Sequence, residues 1–187
     1  MVENIQISSS TFVPELLKNE DWKFENFYTI FGEPLGKGAF GEAWKCKDER
    51  IEYADLEEEV DSVRVVKILD FSLKAHEKSI VEQELVKLKN EVNILKSLDH
   101  PSILKIHDFF ADEENYKYYV VTECIYGKPL SQLIKDHIVD DGHKFIPFND
   151  NDLKEFFRAL LKAVNYCHHL EPDMIVHRDL KPDNIMF

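Results

Sequence analysis

The sequence has 187 residues, 44% of them hydrophobic, and can therefore bury the core of an ordinary globular domain. Its formal net charge of −13 argues against nucleic acid or an anionic membrane surface as the main partner, because both bind basic patches. The same charge would favour a basic peptide.

Residues 1 to about 25 form a leader with no sustained periodicity of either kind. It contains a serine run at 8–10, which is more simply explained as a solvated tail than as a phosphorylation site. We expect the leader to dock on the domain that follows through one of four apolar side chains: Phe12, Leu16, Leu17 or Trp22. It carries no apolar run of the signal-peptide type, and residue 2 is Val2 where myristoylation needs glycine.

A glycine-rich turn follows a strand-like segment that starts at Phe27. The turn is Gly36-Lys37-Gly38-Ala39-Phe40-Gly41, and its glycines would let backbone amides approach a phosphate closely. A dinucleotide-binding turn has the same Gly-x-Gly-x-x-Gly pattern, but it should open a helix. Residues 42–46 alternate as a strand does, so a strand–turn–strand unit is predicted.

An acidic segment at 48–61 contains eight carboxylates and one arginine. We interpret it as a solvated insertion between two strands, with docking of a basic partner as the alternative.

The run 63–69 reads as a buried strand interrupted by Lys67, and an amine among β-branched residues needs a carboxylate partner. A surface lysine is the simpler alternative. The next segment, roughly 74–98, is predicted to be a helix with one apolar stripe. Glu84 and Glu91 on this helix are both candidate partners of Lys67.

Two further strands are predicted at 103–106 and 118–121, separated by an acidic turn. A helix is predicted over 148–170 because Asn149 and Asp150 are good capping residues and an apolar face follows. We expect this helix to be buried. The apolar face consists of Leu153, Phe156, Phe157, Leu160, Leu161 and Val164.

The last motif is His177-Arg178-Asp179-Leu180-Lys181-Pro182-Asp183-Asn184. It cannot be helical throughout, because Pro182 lacks a backbone donor and biases Lys181 away from helical angles. A loop that concentrates a carboxylate, an amine and a carboxamide suits phosphate and magnesium chemistry.

In this order, the motifs from 26 to 187 resemble those of the eukaryotic protein kinases. Lys181, two residues after the aspartate, is typical of the serine/threonine branch. The sequence as a whole most resembles the calcium- and calmodulin-dependent kinases. The resemblance implies an α+β fold, with an antiparallel-sheet small lobe carrying one long helix, followed by the start of a helical large lobe. It divides the chain into a leader at 1–25, the small lobe and hinge at 26–125, and the beginning of the large lobe at 126–187, so the chain is expected to be the front part of a kinase domain.

The resemblance also implies the site residues. Asp179 would orient the substrate hydroxyl, Lys181 would neutralise charge on the transferred phosphoryl group, and Asn184 would bind a metal ion. Glu91 is chosen over Glu84 as the partner of Lys67, because the residues after it follow the family pattern. ATP would be bound by Leu35, Gly36, Lys37, Gly38, Ala39, Phe40, Gly41, Ala43, Val65, Lys67, Glu91, Thr122, Glu123, Ile125 and Met186.

Ala43 and Val65 depart from the family, which commonly has valine and alanine at these positions. The exchange conserves volume, so we expect a repacked but competent adenine site.

The implied function is ATP- and Mg²⁺-dependent phosphorylation of serine or threonine in a protein substrate, and the net charge favours a basic one. A pseudokinase or truncated interaction module is the alternative, and the chain by itself is expected to be inactive. Three widely spaced cysteines argue against a disulfide framework and fit a reducing compartment. No stretch is long and apolar enough to span a membrane, so the cytoplasm is the expected location.

Overall fold

The computed structural model describes residues 22–38, 41–51, 62–72, 76, 78–139 and 144–187. The chain forms two compact units, the first comprising Met1–Ser97 with Lys105–Cys124 and the second Leu98–Leu104 with Ile125–Phe187. Among the described residues, no helix has the length and hydropathy needed to cross a membrane.

The first unit is built on a five-stranded antiparallel sheet with the order β1-β2-β3-β5-β4. Its elements are β1 (Tyr28–Gly38), β2 (Gly41–Asp48), β3 (Val63–Asp70), the helix α1 (Lys78–Ser97), β4 (Ile106–Asp112) and β5 (Lys117–Glu123). This confirms the predicted sheet with one long helix. The fourth strand was predicted at 103–106 but begins only at Ile106, so that prediction was placed too early.

Each face of the sheet carries its own apolar cluster. On one face α1 packs with Val81 and Val92 against Leu69 and Tyr118, which are all nearly or fully buried. The apolar stripe predicted for this helix is thus the stripe that makes the contact. On the opposite face Val66 and Val121, both 0% exposed, lie beneath a cluster of aromatic rings.

The end of the predicted leader belongs to this aromatic cluster. The Trp22 indole stacks on Phe110 at 5.0 Å and its Nε1 donates to the Phe109 carbonyl on the edge strand β4. Phe24, 3% exposed, stacks on Tyr119 at 4.8 Å. Docking through Trp22 is therefore confirmed, whereas the other candidates, Phe12, Leu16 and Leu17, lie outside the described residues.

The second unit contains two helices and a small hairpin. Its elements are α2 (Leu130–Asp136), β6 (Ile138–Val139), β7 (Lys144–Phe145), α3 (Asp150–His168) and a 3₁₀ turn at Pro182–Asn184. The helix α3 begins at the predicted cap, where the Asn149 side chain accepts from the Asn151 amide at 2.8 Å. Sequence reasoning did not predict α2 or the β6–β7 hairpin.

The prediction that α3 is buried was wrong. Phe157 and Leu161 are 53% and 64% exposed, and only Ala163 of this helix is fully buried. The apolar periodicity identified the helix correctly, but periodicity alone cannot show what covers its apolar face.

Candidate active site

One face of the sheet in the first unit brings together residues predicted to bind a nucleotide. Ala43 pairs with Lys67 across β2 and β3, and Val65 pairs with Thr122 across β3 and β5. Directly paired residues project to the same face, and residues two apart on one strand do so as well. These four side chains therefore line the α1 side of the sheet, to which Leu69 also belongs.

The departures at Ala43 and Val65 lie on adjacent strands of this face. Small and larger side chains have exchanged places across β2 and β3, so the total volume facing a ligand is nearly unchanged. The prediction of a repacked adenine surface fits this register.

The glycines of the turn have different surroundings. A Cβ at Gly36 would meet nothing within 4 Å, and one at Gly38 would meet only the Gly41 carbonyl oxygen at 3.7 Å. At Gly41 a Cβ would lie 1.7 Å from the backbone oxygen of Ile68 on β3. The first two glycines therefore keep space open, whereas the third allows β2 and β3 to come together.

The remaining residues of this predicted group lie around the turn. Leu35 is 53% exposed, and Lys37 makes an ion pair with Glu42 at 2.8 Å. Ala39 and Phe40 lie outside the described residues.

Lys67 is exposed and, among the described residues, makes no ion pair. Of its two candidate partners, Glu84 instead accepts from Lys87 one turn along α1 at 2.7 Å, and Glu91 is exposed. The pairing of Lys67 with Glu91 is not formed in this structure and stays a prediction.

The strand end at Glu123 has its amide already engaged. The Glu123 N–H donates to the Lys105 carbonyl at 3.0 Å, and its carboxylate accepts from the Lys105 amide at 2.7 Å. Of the two backbone groups of Glu123, which is predicted to bind ATP, the carbonyl with its two lone pairs therefore remains available. Thr122 donates from its hydroxyl to that carbonyl at 3.2 Å, and Ile125, 41% exposed, belongs to the second unit.

In the second unit, the three predicted catalytic side chains converge. Lys181 Nζ lies 2.8 Å from Asp179 Oδ2, and Asn184 Nδ2 donates to the same oxygen at 3.0 Å. Asn184 also donates to the Asp179 backbone carbonyl at 2.8 Å. The convergence follows from local structure, because Lys181 is extended (φ −149°, ψ 161°) and the 3₁₀ turn at Pro182–Asn184 then brings Asn184 back.

These contacts favour the ionised form of the Asp179 carboxylate. The hydrogen bond from Lys181, followed by that from Asn184, holds the pKa of Asp179 below its usual value. Reciprocally, the hydrogen bond to Asp179 raises the pKa of Lys181. Asp179 is therefore an ionised, acceptor-only group at neutral pH, as a residue that orients a hydroxyl must be.

Two features of this loop were not evident from the sequence. Arg178 adopts a left-handed backbone angle (φ 63°), which is strained for a non-glycine residue and is typical of functional loops. Residues 185–187 pair with 128–130, with amide–carbonyl distances of 2.8 to 3.2 Å. Gly127 is required beside this pairing, since a Cβ there would lie 2.5 Å from the Phe187 oxygen. In the sequence, Gly127 was the only sign of this close approach between the two segments.

Comparison with known proteins identifies the family. The protein-family model described as "Protein kinase domain" matches residues 29–187 of the sequence. The chain belongs to the protein kinase family. Curated relatives include calcium-dependent protein kinase 5 of Plasmodium berghei, 30% identical over 92% of this chain and 25% of that protein. Calcium/calmodulin-dependent protein kinase type 1 of Macrobrachium nipponense is 31% identical over 84% of this chain and 38% of that protein.

A solved kinase structure supports the fold. Rad53 residues 1–466, crystallised in complex with AMP-PNP, superposes with a TM-score of 0.66 and 26% identity, covering 87% of this chain and 36% of that one. The kinase chain thus spans 25%, 38% and 36% of the three proteins named above, and its relatives include serine/threonine kinases of the calcium-dependent and calmodulin-dependent groups.

Within this kinase segment, the donor set around Asp179 fits a hard divalent cation. Both hydrogen bonds from the Asn184 side chain use Nδ2, which leaves the amide oxygen free as a ligand. Magnesium in such sites takes one or two protein oxygens and completes its shell with phosphate and water. Met186, 40% exposed, forms an isolated β-bridge with Pro129 in the same unit, and its predicted part in ATP binding stays a prediction.

Proposed function

We propose that this kinase segment takes part in ATP-dependent phosphorylation of serine and threonine hydroxyls in proteins. The observation that supports this most directly is the cluster of Asp179, Lys181 and Asn184, in which a carboxylate ionised at neutral pH lies within hydrogen-bond distance of an amine and a carboxamide. Phosphoryl transfer depends mainly on positioning and charge stabilisation, and this cluster supplies both.

Each residue has a separate role in this proposal. Asp179 accepts the hydrogen of the attacking hydroxyl and orients its oxygen. Lys181 places positive charge beside the phosphoryl group, and Asn184 fixes the Asp179 backbone while offering its amide oxygen to Mg²⁺. Bound magnesium would supply charge neutralisation at the phosphates.

ATP is the proposed cofactor, bound on the sheet face of Ala43, Val65, Lys67 and Thr122. The open space at Gly36 and Gly38 supports close approach of phosphates, and the Glu123 carbonyl is the acceptor proposed for the adenine amino group. That the similar Rad53 structure is a complex with AMP-PNP supports nucleotide binding by this chain.

The proposed substrates are proteins with a serine or threonine acceptor, and the net charge of −13 favours a basic neighbourhood around that residue. Pro129 weakens any specific claim for arginine upstream of the acceptor, because many basic-directed kinases carry glutamate there. The free thiols of Cys46, Cys124 and Cys167 support a reducing, cytosolic setting, which we also propose.

The proposal is tested by two linked measurements. Isothermal titration of this chain with Mg·ATP should give saturable binding that weakens in Lys67→Met. In the protein that carries this chain, transfer of the γ-phosphoryl group to a serine peptide should fall by about 10³-fold or more in Asp179→Asn, with ATP affinity unchanged. Absence of ATP binding by the wild-type chain would refute the proposal.

A nucleotide-binding module without catalysis is the second candidate, and one observation favours it: Lys67 makes no ion pair among the described residues. The same two measurements separate the candidates. A module binds Mg·ATP but transfers no phosphoryl group, and Asp179→Asn then changes nothing.

A further inference from the structure

The strand β1 carries the glycine turn and has few contacts that could hold it in place. Among the described strands it lies at the edge of the sheet and pairs only with β2, and this pairing is irregular between Phe31 and Gly36. Of its eleven residues only Tyr28, at 2% exposure, is buried. The position of the turn therefore depends strongly on what holds Tyr28.

Arg50 is the centre of the group that holds Tyr28. Its guanidinium donates to both oxygens of Asp48, with Nε to Oδ1 at 2.8 Å and Nη2 to Oδ2 at 2.7 Å. Nη2 also donates to the Tyr28 hydroxyl at 2.5 Å and to Asp108 Oδ2 at 2.7 Å. Tyr28 in turn donates to Asp108 at 2.5 Å. We call these four residues the Arg50 clamp.

The clamp joins the two edges of the sheet. Tyr28 lies on β1 and Asp108 on β4, which are the first and last strands in the order, and Asp48 ends β2. Both carboxylates are buried, at 5% for Asp48 and 9% for Asp108, whereas the Arg50 side chain is 40% exposed. The guanidinium also lies over the rings of Phe27 and Tyr28, with centroid distances of 5.3 and 5.0 Å.

Removal of the cation would leave two buried carboxylates without their counter-charge. Burial alone would raise the pKa of Asp48, but its hydrogen bonds from Arg50 hold that pKa below the usual value. Removing one member of a buried ion pair is costly, because it leaves the other charge buried without a partner. The structure then rearranges most easily in the element that has the fewest buried contacts and hydrogen bonds. That place is β1: β2, β3 and β5 are each paired on both sides, and the other edge strand, β4, buries Ile106, Asp108 and Phe110 where β1 buries Tyr28 alone.

We propose that Arg50 is a positioning residue for the nucleotide: through Tyr28 it fixes β1, and with it the position of the glycine turn over the phosphates. This inference rests on the proposed nucleotide-binding function. In this proposal Arg50 acts on the nucleotide indirectly, through a strand that begins at Tyr28 and carries Gly36 and Gly38 eight and ten residues later.

A purely structural role would have a different consequence. If Arg50 only contributed to stability, its loss would lower the midpoint of unfolding and would change the affinities for all ligands of a folded molecule equally. A positioning role predicts a phosphate-specific effect, because the turn faces phosphates and the adenine face is formed by β2, β3 and β5.

The experiment compares Arg50→Met, Arg50→Lys and Tyr28→Phe with the control Arg158→Met, which removes an exposed arginine of α3 that pairs with Glu155 one turn away. Affinities for Mg·ATP and for adenosine are measured by calorimetry on the whole chain, at a urea concentration well below the unfolding midpoint of every variant. Tyr28→Phe keeps the ring and removes one hydroxyl, so it stays folded even where Arg50→Met does not.

Arg50→Met and Tyr28→Phe should weaken Mg·ATP binding by about fivefold or more, the equivalent of one hydrogen bond, and leave adenosine affinity within about twofold. Arg50→Lys keeps the charge but loses the bidentate geometry, and should fall between Arg50→Met and wild type. Amide hydrogen exchange should accelerate in β1 but not in β3 or β5.

Equal losses for both ligands, or no loss of Mg·ATP affinity in the folded Tyr28→Phe variant, would overturn the positioning role while leaving the proposed function intact. No binding of Mg·ATP by the wild-type chain would remove the proposed function and this inference with it.

Discussion

Two glycines of the same turn should respond to alanine in opposite ways. At Gly41 the added methyl group would lie 1.7 Å from the Ile68 carbonyl oxygen and 2.8 Å from the carbon of that carbonyl, both backbone atoms of the neighbouring strand. At Gly36 the methyl group would meet nothing within 4 Å, and the backbone is not in the left-handed region. The matched pair therefore separates packing between strands from space kept for a ligand.

The magnitudes follow from these distances. To accept a methyl group at Gly41, β2 and β3 must separate locally by roughly 1 Å or more, which overpacks the sheet and disrupts neighbouring hydrogen bonds. We expect a loss of about 3 kcal/mol in the free energy of unfolding, or a fall of roughly 10 °C or more in Tm. Gly36→Ala should instead stabilise the chain by about 0.5 kcal/mol, because alanine loses less backbone entropy on folding.

Urea unfolding followed by tryptophan fluorescence can measure both variants, since the two tryptophans, Trp22 and Trp44, lie in the first unit. Calorimetry with Mg·ATP completes the assay. Gly36→Ala should bind the nucleotide more weakly than wild type although it is at least as stable. An unfolding midpoint for Gly41→Ala equal to that of wild type, or a destabilised Gly36→Ala, would refute the assignment of different roles to these glycines.

Three further predictions concern charge and packing. In Lys181→Met the pKa of Asp179 should rise towards the usual value of about 3.9, because the hydrogen bond from Lys181 is lost. Titration of the Asp179 carboxyl group by NMR measures this pKa, and an unchanged value would contradict the contact between Lys181 and Asp179. Phe110→Ala should lower the free energy of unfolding by about 3–5 kcal/mol, because Phe110 is 1% exposed within the aromatic cluster. In the control Phe157→Ala the loss should be less than about 1 kcal/mol, because Phe157 is 53% exposed. Equal losses in urea unfolding would argue against the aromatic cluster as part of the core. Lys67→Met should leave the free energy of unfolding within about 0.5 kcal/mol of wild type, since the side chain is exposed and makes no ion pair among the described residues; a large destabilisation in urea unfolding would show a structural role.

The sequence predicted well those features that depend on short-range patterns. Alternation predicted β2, the apolar stripe predicted α1, and Asn149 marked the start of α3. The proximity of the three predicted catalytic residues was predictable for the same reason. Their side chains lie within six residues, and Pro182 restricts the conformation that brings them together.

Features that depend on distant contacts were missed. Nothing local shows that Asp48 and Arg50, read as part of a solvated acidic segment, meet Tyr28 and Asp108 in a buried group. The rest of that acidic segment, 52–61, lies outside the described residues. The exposed face of α3 is a similar case, because a helical stripe specifies an apolar surface but not the element that covers it.

Charge is balanced differently at three lysines of the predicted site, Lys37, Lys67 and Lys181. Lys181 already has Asp179 as its partner at 2.8 Å, and Lys37 has Glu42 at the same distance. Lys67 shares a sheet face with Ala43 and makes no ion pair among the described residues. A phosphate that approaches this face therefore gains the attraction of Lys67 without first breaking a protein contact. By this reasoning the side chains of Lys181 and Asn184 are already in contact with Asp179 before a nucleotide binds. The counter-charge for Lys67 would instead come from the phosphates of ATP.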